Sequence, residues 1–492
     1  MTTKLLSRQL VGNVDLKNSK LVMVIVIVAA EMLLGLICLI TDFRVFALFL
    51  GGLLVLLIFL FPKIGALFVL FFVPGVRYLT FDIGPVTMNP LRLLLVPTFI
   101  GLILHVLVNR APFKPLNIGV PMVAFISVAV LSVVQGCHLW AGLTRLMFFL
   151  SLFLIPFVLV QLIDDKKWVK TAVGVMVASS IVLITLALVE AFFVYRGFSA
   201  MITGGHRLAG GVTGRLYGGP HPFALDLNTY LPFVLLLAAA SGRWKSLVLI
   251  LLGSCLMLGI FFSGAMAGWL GAIGSLVVLV LVGFARDRQK IVLGVFRRLV
   301  PVMVVGGILV GVFVPTGLRE ARIERFMTII KLQGAHALGT RTTGVRVPVW
   351  AAYKRMFYEH PLLGVGLGSA PVEYHKYMVA KLGAPGKEFT HHGYNVFVDI
   401  GAEMGILGLC AFVWFIIAYA RQALRFLGLI EDPFLANMLL ASSAACVAVF
   451  IQMQTETGSF WANNFWCLLG LSLAIINVAN RKRSKIEFGK EN

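Results

Sequence analysis

The chain has 492 residues, of which 59% are hydrophobic and 13% charged, with a formal net charge of +21. Soluble domains run nearer half apolar and a quarter charged, so this composition excludes a soluble enzyme, a disordered chain and a collagen-like fibre. It points to a polytopic membrane protein whose basic residues sit between apolar runs, not to a nucleic-acid binder.

Residues 1–20 are polar and basic, and no signal-peptide cleavage pattern follows the first apolar run, so that run reads as a retained helix. Apolar runs follow at 21–40, 45–61, 64–80, 91–108, 119–136, 142–163, 168–194, 223–240, 246–262, 264–284, 299–317, 395–420, 434–452 and 461–479. With roughly 17–25 residues per span, they predict an all-α transmembrane bundle of about 12–14 helices. The chain divides into a cytoplasmic segment 1–20, a helical region 21–317 with an exterior loop 195–222, a long loop 318–394, helices over 395–479 and a basic tail 480–492.

Charge sets the orientation. With the N-terminus inside, the cytoplasmic loops carry Lys63, Arg110, Lys114, Lys166, Lys167, Lys170, Arg243, Lys245, the basic run 286–298, Arg421 and Arg425. The tail carries Arg481, Lys482, Arg483 and Lys485. The short exterior loops carry little charge, as the positive-inside rule requires. Both termini are therefore expected in the cytoplasm. Trp269, Trp414, Trp461 and Trp466 near helix ends are expected in the interfacial belt. The scattered cysteines include no C-x-x-C pair, which predicts neither a disulfide framework nor a zinc site.

Two exterior segments break the charge pattern. Segment 195–222 holds Arg196, His206, Arg207, Arg215 and His221 with no acid. The long loop 318–394 is also strongly basic. One reading is a solvated basic surface. The other is an exterior site for an anionic substrate, because long structured loops tend to carry function. Within the long loop, residues 346–359 place Trp350, Tyr353 and Phe357 at helical spacing, predicting an amphipathic helix at the membrane surface that ends at His360-Pro361. Arg319, Arg322 and Arg325 form one basic helical face suited to lipid headgroups.

Three blocks carry a resemblance. They are GRLYGGPHPFALDLNTYLPF (Gly214–Phe233), RVPVWAAYKRMFYEHPLLGVGLG (Arg346–Gly368) and HHGYNVFVDIGAEMGILGL (His391–Leu409). Their order and content resemble the bacterial O-antigen ligase/polymerase family over roughly 210–420. That resemblance implies a glycosyltransferase of the bacterial inner membrane with a periplasmic active site. It implies a donor glycan on undecaprenyl diphosphate and an acceptor that is either another repeat unit or lipid A core. Membrane lipids and other polysaccharide export proteins are the further partners. It also implies an inverting transfer with no metal and no cofactor. Two departures stand out. Gly264 follows Ser263 where the family often has Arg, and Tyr394 falls where the family places its His, with His391 and His392 just before it.

The chemistry suits the residues. Diphosphate is a good leaving group, so the protein need only bind its developing charge and place an acceptor hydroxyl. Arg donates bidentate hydrogen bonds to phosphate and stays charged. His accepts a proton near neutral pH. The diphosphate contacts expected are Arg215, Arg346 and Arg341. His392 or His391 is expected as the base, with Glu403 orienting a His or pairing with Arg215, or else locking two helices. Asp226 is expected as a structural partner within the bundle, while Arg92 and Arg145 have no partner readable from sequence. The two departures favour a polysaccharide polymerase over a ligase. A lipid-linked oligosaccharide flippase is the rival from another class, although it should carry its cations in a central cavity. A scaffold with a dead site is a further alternative.

Overall fold

The computed structural model describes residues 43–74, 81–83, 86–110, 112–190, 219–285, 293–294, 297, 300–304, 307–308, 339–378, 392–455 and 463–488. The chain forms two units, divided after Leu60. Among the described residues the first holds one apolar helix, α1 (Phe43–Leu60).

The second unit is a helical bundle. It contains α2 (Pro62–Phe71), α3 (Pro90–Asn109), α4 (Gly119–Gln135), α5 (Leu139–Leu162), α6 (Lys166–Val189), α7 (Pro220–Ala240), α8 (Arg243–Ser263) and α9 (Met266–Ala285). After these come α10 (Gly339–Glu359), α11 (Ala370–Met378), α12 (Val396–Leu429), α13 (Pro433–Met453) and α14 (Asn463–Phe488). Eight described helices are long and apolar enough to cross a membrane. The chain is an all-α, multi-pass membrane protein. A short antiparallel hairpin, β1 (Phe81–Ile83) with β2 (Val86–Met88), pairs Phe81 with Met88 and is the only strand pair among the described residues.

Most expected spans appear close to their predicted bounds. The expected span 64–80 does not. Its helix stops at Phe71, and the following segment leads into the hairpin. Pro74 disfavours helical backbone at Val73, which explains the early stop. The expected spans 21–40 and most of 299–317 lie outside the described residues.

The core is built by α7, α13 and α14, with α5 on α14 and α9 on α13. Small residues allow close approach, as bilayer packing favours. A Cβ on Gly268 would meet that of Ala224 at 2.7 Å, and one on Gly470 would meet Pro156 at 2.7 Å. Trp466 is buried against Phe153 and Phe415, with ring centroids 4.5 and 5.9 Å away. Trp269 is also buried, and its indole N–H donates to the Ile260 carbonyl at 3.0 Å. Neither is an interfacial belt residue, because each ring faces a neighbouring helix. Trp414 does face outward.

Several polar groups inside the bundle satisfy one another, as a medium without water favours. Asn464 donates to Asp226 at 2.8 Å and to Thr229 at 2.9 Å. Tyr419, Ser472 and Ser442 form a chain with links of 2.9 and 2.8 Å. At the basic end, Lys63 pairs with Asp164 at 2.7 Å and Lys166 with Asp432 at 2.6 Å.

Candidate functional site

The site begins with a break in α12. Gly405 has φ 62° and ψ −159°, so the helix is interrupted there. A break leaves backbone groups that the helix can no longer pair. The loop after α10 supplies their partners. Val365 N–H donates to the Ala402 carbonyl at 2.9 Å, and Gly366 N–H to the Glu403 carbonyl at 3.1 Å. In return Ile406 N–H donates to Pro361 at 2.8 Å and Leu407 N–H to Leu362 at 3.3 Å. Ser132 of α4 completes the joint, donating to the Glu403 carbonyl at 2.6 Å and accepting from Leu367 N–H at 2.9 Å.

This joint accounts for the glycines of the PLLGVGLG segment. Gly364, Gly366 and Gly368 all have left-handed φ, at 70°, 108° and 76°. A Cβ on Gly364 would run into the Ala402 carbonyl, and one on Gly366 into Gly136. The segment is a plug that seats the chain between α10 and α11 in the bundle.

Beyond Gly405, α12 is long enough to cross a hydrocarbon core of about 30 Å by itself. The stub from Val396 to Met404 is therefore not needed to complete the span. Asn395 caps it, accepting from Phe397 N–H at 2.9 Å and Val398 N–H at 3.3 Å. The Asn395 amide also donates to the Gln454 carbonyl at 3.1 Å.

Just before that cap lies the turn of His392, Gly393 and Tyr394. It is pinned from two sides. Gly393 N–H donates to Asp399 at 2.6 Å, and the Gly393 carbonyl accepts from the Trp350 indole at 2.6 Å. Tyr394 takes φ 54°, one of two non-glycine residues with positive φ among those described. The turn leaves the His392 side chain exposed.

Two arginines bracket this turn. Arg145, near the start of α5, places Nη2 3.3 Å from His392 Nδ1. Arg346 of α10 sets its guanidinium 5.4 Å from the centre of the Tyr394 ring, a cation–π arrangement. Beneath them Glu403 is buried, accepts a hydrogen bond from Gly368 N–H and feels the charge of Arg145. Arg92 of α3 lies within the field of Arg145 and stacks on Phe148 at 3.6 Å. Tyr353 is buried beside the cluster. Burial, followed by the charges of Asp399 and Glu403, pushes its phenol well above the ordinary value.

Because Arg can only donate, the His392 Nδ1 that faces Arg145 must be the acceptor. A neutral His392 then carries its proton on Nε2. In this arrangement Nδ1 is occupied by Arg145 and is not ready to act as a base.

A second polar group fastens α11. His138 Nε2 donates to Glu373 at 2.8 Å, and Lys376 lies 3.3 Å from the same carboxylate. Burial pushes the Glu373 carboxyl up, but the hydrogen bonds from His138 and Lys376 outweigh it and hold it below its ordinary range. Tyr377 donates to Glu359 at 2.9 Å, and burial together with that carboxylate pushes its phenol up to about 12.

Of the residues expected from sequence, His392, Arg346 and Glu403 lie around one turn and its supporting stub. Arg215 and His391 lie outside the described residues. Arg341 is in the first turn of α10, with its side chain outside the described set. The helix expected over 346–359 begins earlier, at Gly339. Its buried face is Val349, Ala352, Tyr353 and Met356, which pack with Val365, Ala370 and Tyr374. Trp350 is partly exposed. The helix therefore rests its apolar face on protein rather than on lipid. Sequence reasoning left Arg145 and Arg92 without partners, although a charge near the end of an apolar run is itself a signal of function. Gly264, where Arg was expected, ends α8 in the left-handed conformation (φ 62°), which a glycine adopts without strain.

Comparison with known proteins supports an O-antigen ligase or polymerase-like family. Residues 247–413 match the family model described as O-Antigen ligase. The matched segment contains α10, α11, the plug, the His392 turn and the stub of α12. No curated protein matches the chain.

Proposed function

We propose that this protein is a membrane glycosyltransferase that transfers a glycan from undecaprenyl diphosphate onto another repeat unit, building an exopolysaccharide or O-antigen at the periplasmic face. The observation that supports it best is the placement of Arg145 beside His392 and of Arg346 beside Tyr394, in an exposed turn that lies inside the segment matching O-antigen ligases.

The arrangement suggests how transfer proceeds. The acceptor hydroxyl oxygen attacks the anomeric carbon and forms the new C–O bond. The bond to the diphosphate oxygen breaks, and its electron pair leaves with the diphosphate. Arginines preorganised at that oxygen stabilise the charge as it develops. A diphosphate also draws the Arg145 guanidinium away from His392. That frees Nδ1 to accept the proton of the acceptor hydroxyl, so donor binding switches the ring from donor to base. The charge of Glu403, itself held by the Gly368 amide, favours Arg145 near both positions.

The polymerase reading rests on the two departures. Gly264 removes one cation that the ligase pattern expects, and the histidines precede their usual place. The test is reconstitution in lipid with an undecaprenyl-diphosphate-linked repeat unit, with and without lipid A core, and products resolved on a gel. A ladder formed without lipid A supports the polymerase. A single shifted lipid A band replaces it with a ligase. Lipid-linked sugar moved between leaflets with no new glycosidic bond replaces both with a flippase.

A further inference from the structure

α10 turns one face inward, and its exposed face carries a stripe of rings and cations. Val349, Ala352, Tyr353 and Met356 pack on the protein. Trp350, Lys354 and Tyr358 are spaced four residues apart, so they follow one another along the exposed side, about 6 Å per step. Trp350 is 39% exposed and Tyr358 65%. Arg346, already placed at the His392 turn, heads the same stripe.

The stripe is ordered and aimed. The Trp350 indole N–H donates to the Gly393 carbonyl at 2.6 Å, which fixes that ring next to His392. The Lys354 ammonium sits 5.5 Å from the centre of the Tyr358 ring. At the other end, α10 lies along the stub: a Cβ on Gly401 would stand 3.6 Å from Phe357. Just after it, Pro361 accepts from Ile406 N–H. The stripe therefore leads from the break in α12 to the exposed His392.

Burial does not explain these rings. A helix lying in a bilayer buries its apolar face in lipid, whereas that of α10 is covered by protein. A pyranose ring has an apolar face of C–H bonds and a rim of hydroxyls. Rigid, exposed aromatic rings suit the first. An ammonium with three N–H donors between them suits the second.

We infer that the stripe of Trp350, Lys354 and Tyr358 is the acceptor-glycan subsite, which holds the sugars next to the attacking hydroxyl and delivers that hydroxyl to His392. This inference rests on the transferase reading above and assigns one side of its site to the acceptor.

The test uses the full chain in phosphatidylcholine nanodiscs and the free repeat-unit oligosaccharide released by mild acid from the lipid-linked donor. Binding is measured by equilibrium titration, which needs no transfer. Trp350→Ala and Tyr358→Ala should each weaken binding about fivefold. The double change should weaken it about 25-fold, because the two rings lie about 12 Å apart along the helix and act independently. Trp350→Phe, which keeps a ring, should retain most of the affinity and serves if Trp350→Ala does not accumulate. In glycan transfer, Tyr358→Ala should raise the acceptor KM and leave kcat unchanged. Trp244→Ala, which removes an exposed ring at the start of α8, should change nothing. Equal binding in every variant, or an equal loss in Trp244→Ala, would overturn the subsite. Quenching of the Trp350 emission by brominated lipid, read as the difference between wild type and Trp350→Phe, would assign the stripe to the bilayer instead. Binding lost in the stripe variants of a chain that transfers nothing would sink the transferase reading and leave the glycan site standing. Wild-type transfer with unaltered binding would do the reverse.

Discussion

Arg145 and His392 are 247 positions apart in the chain, yet their side chains meet at 3.3 Å. Three separate devices produce this meeting: the plug seated in the break of α12, the cap at Asn395, and the Gly393 contacts with Asp399 and Trp350. Each can be tested by itself.

Ser132 joins α4 to both halves of the joint, through the Glu403 carbonyl and the Leu367 amide. Ser132→Ala leaves both groups without this partner. We expect a loss of about 1–3 kcal/mol, as for buried polar groups left unsatisfied. Thermal unfolding in detergent checks it. An unchanged midpoint would mean that the plug is held elsewhere.

Gly405→Ala combines a left-handed φ with a collision between the new Cβ and Leu362. Strain alone should cost about 1–3 kcal/mol. The larger consequence is structural: α12 is expected to straighten and expel the plug. Limited proteolysis should then cut within 361–368 faster than in the wild type.

Arg346→Ala should lower kcat/KM by about 10²-fold if its guanidinium meets the diphosphate, with little change in thermal stability. Arg346→Lys should recover only part of this, because an ammonium lacks the planar fork. A loss of stability with no change in kcat/KM would leave Arg346 as a packing partner of Tyr394 alone.

Glu373 gives a dependence on pH. Its folded pKa lies below the ordinary 4.5. Its pairing with His138 and Lys376 therefore contributes stability above that ordinary value, and the contribution disappears as pH falls through the lower folded value. Glu373→Gln should lower the unfolding midpoint at about pH 7, and the difference from wild type should vanish once the pH has fallen through the lower folded value. A difference that persists at the lower pH would assign the effect to packing.

Much of the bundle was legible because apolar length is a strong signal. The bounds of α3 to α9 and α13 follow from run length and from the charges between runs, whereas α14 runs on to Phe488 through the stretch expected as a basic tail. The short α2 was not legible, because the run 64–80 is apolar apart from Arg77, and Pro74 alone marks the stop. Trp269 and Trp466 were misplaced because position near a helix end does not reveal which face a ring presents. In the candidate site, motifs drew attention to His392, Arg346 and Glu403, which the fold brings around one turn and its stub. No motif did so for Arg145, since its partners are set by the fold of a loop more than 200 positions away. The glycines of the plug read as a turn-rich motif, while their reason lies in a helix break that no local pattern shows.

The most direct measurement is a double-mutant cycle on glycan transfer with Arg145→Ala, His392→Ala and the pair. If the two act as one unit that donor binding rearranges, each single change should lower the rate by about 10²-fold or more, and the double change should add little. Losses that multiply, or single variants that transfer at the wild-type rate, would contradict the account.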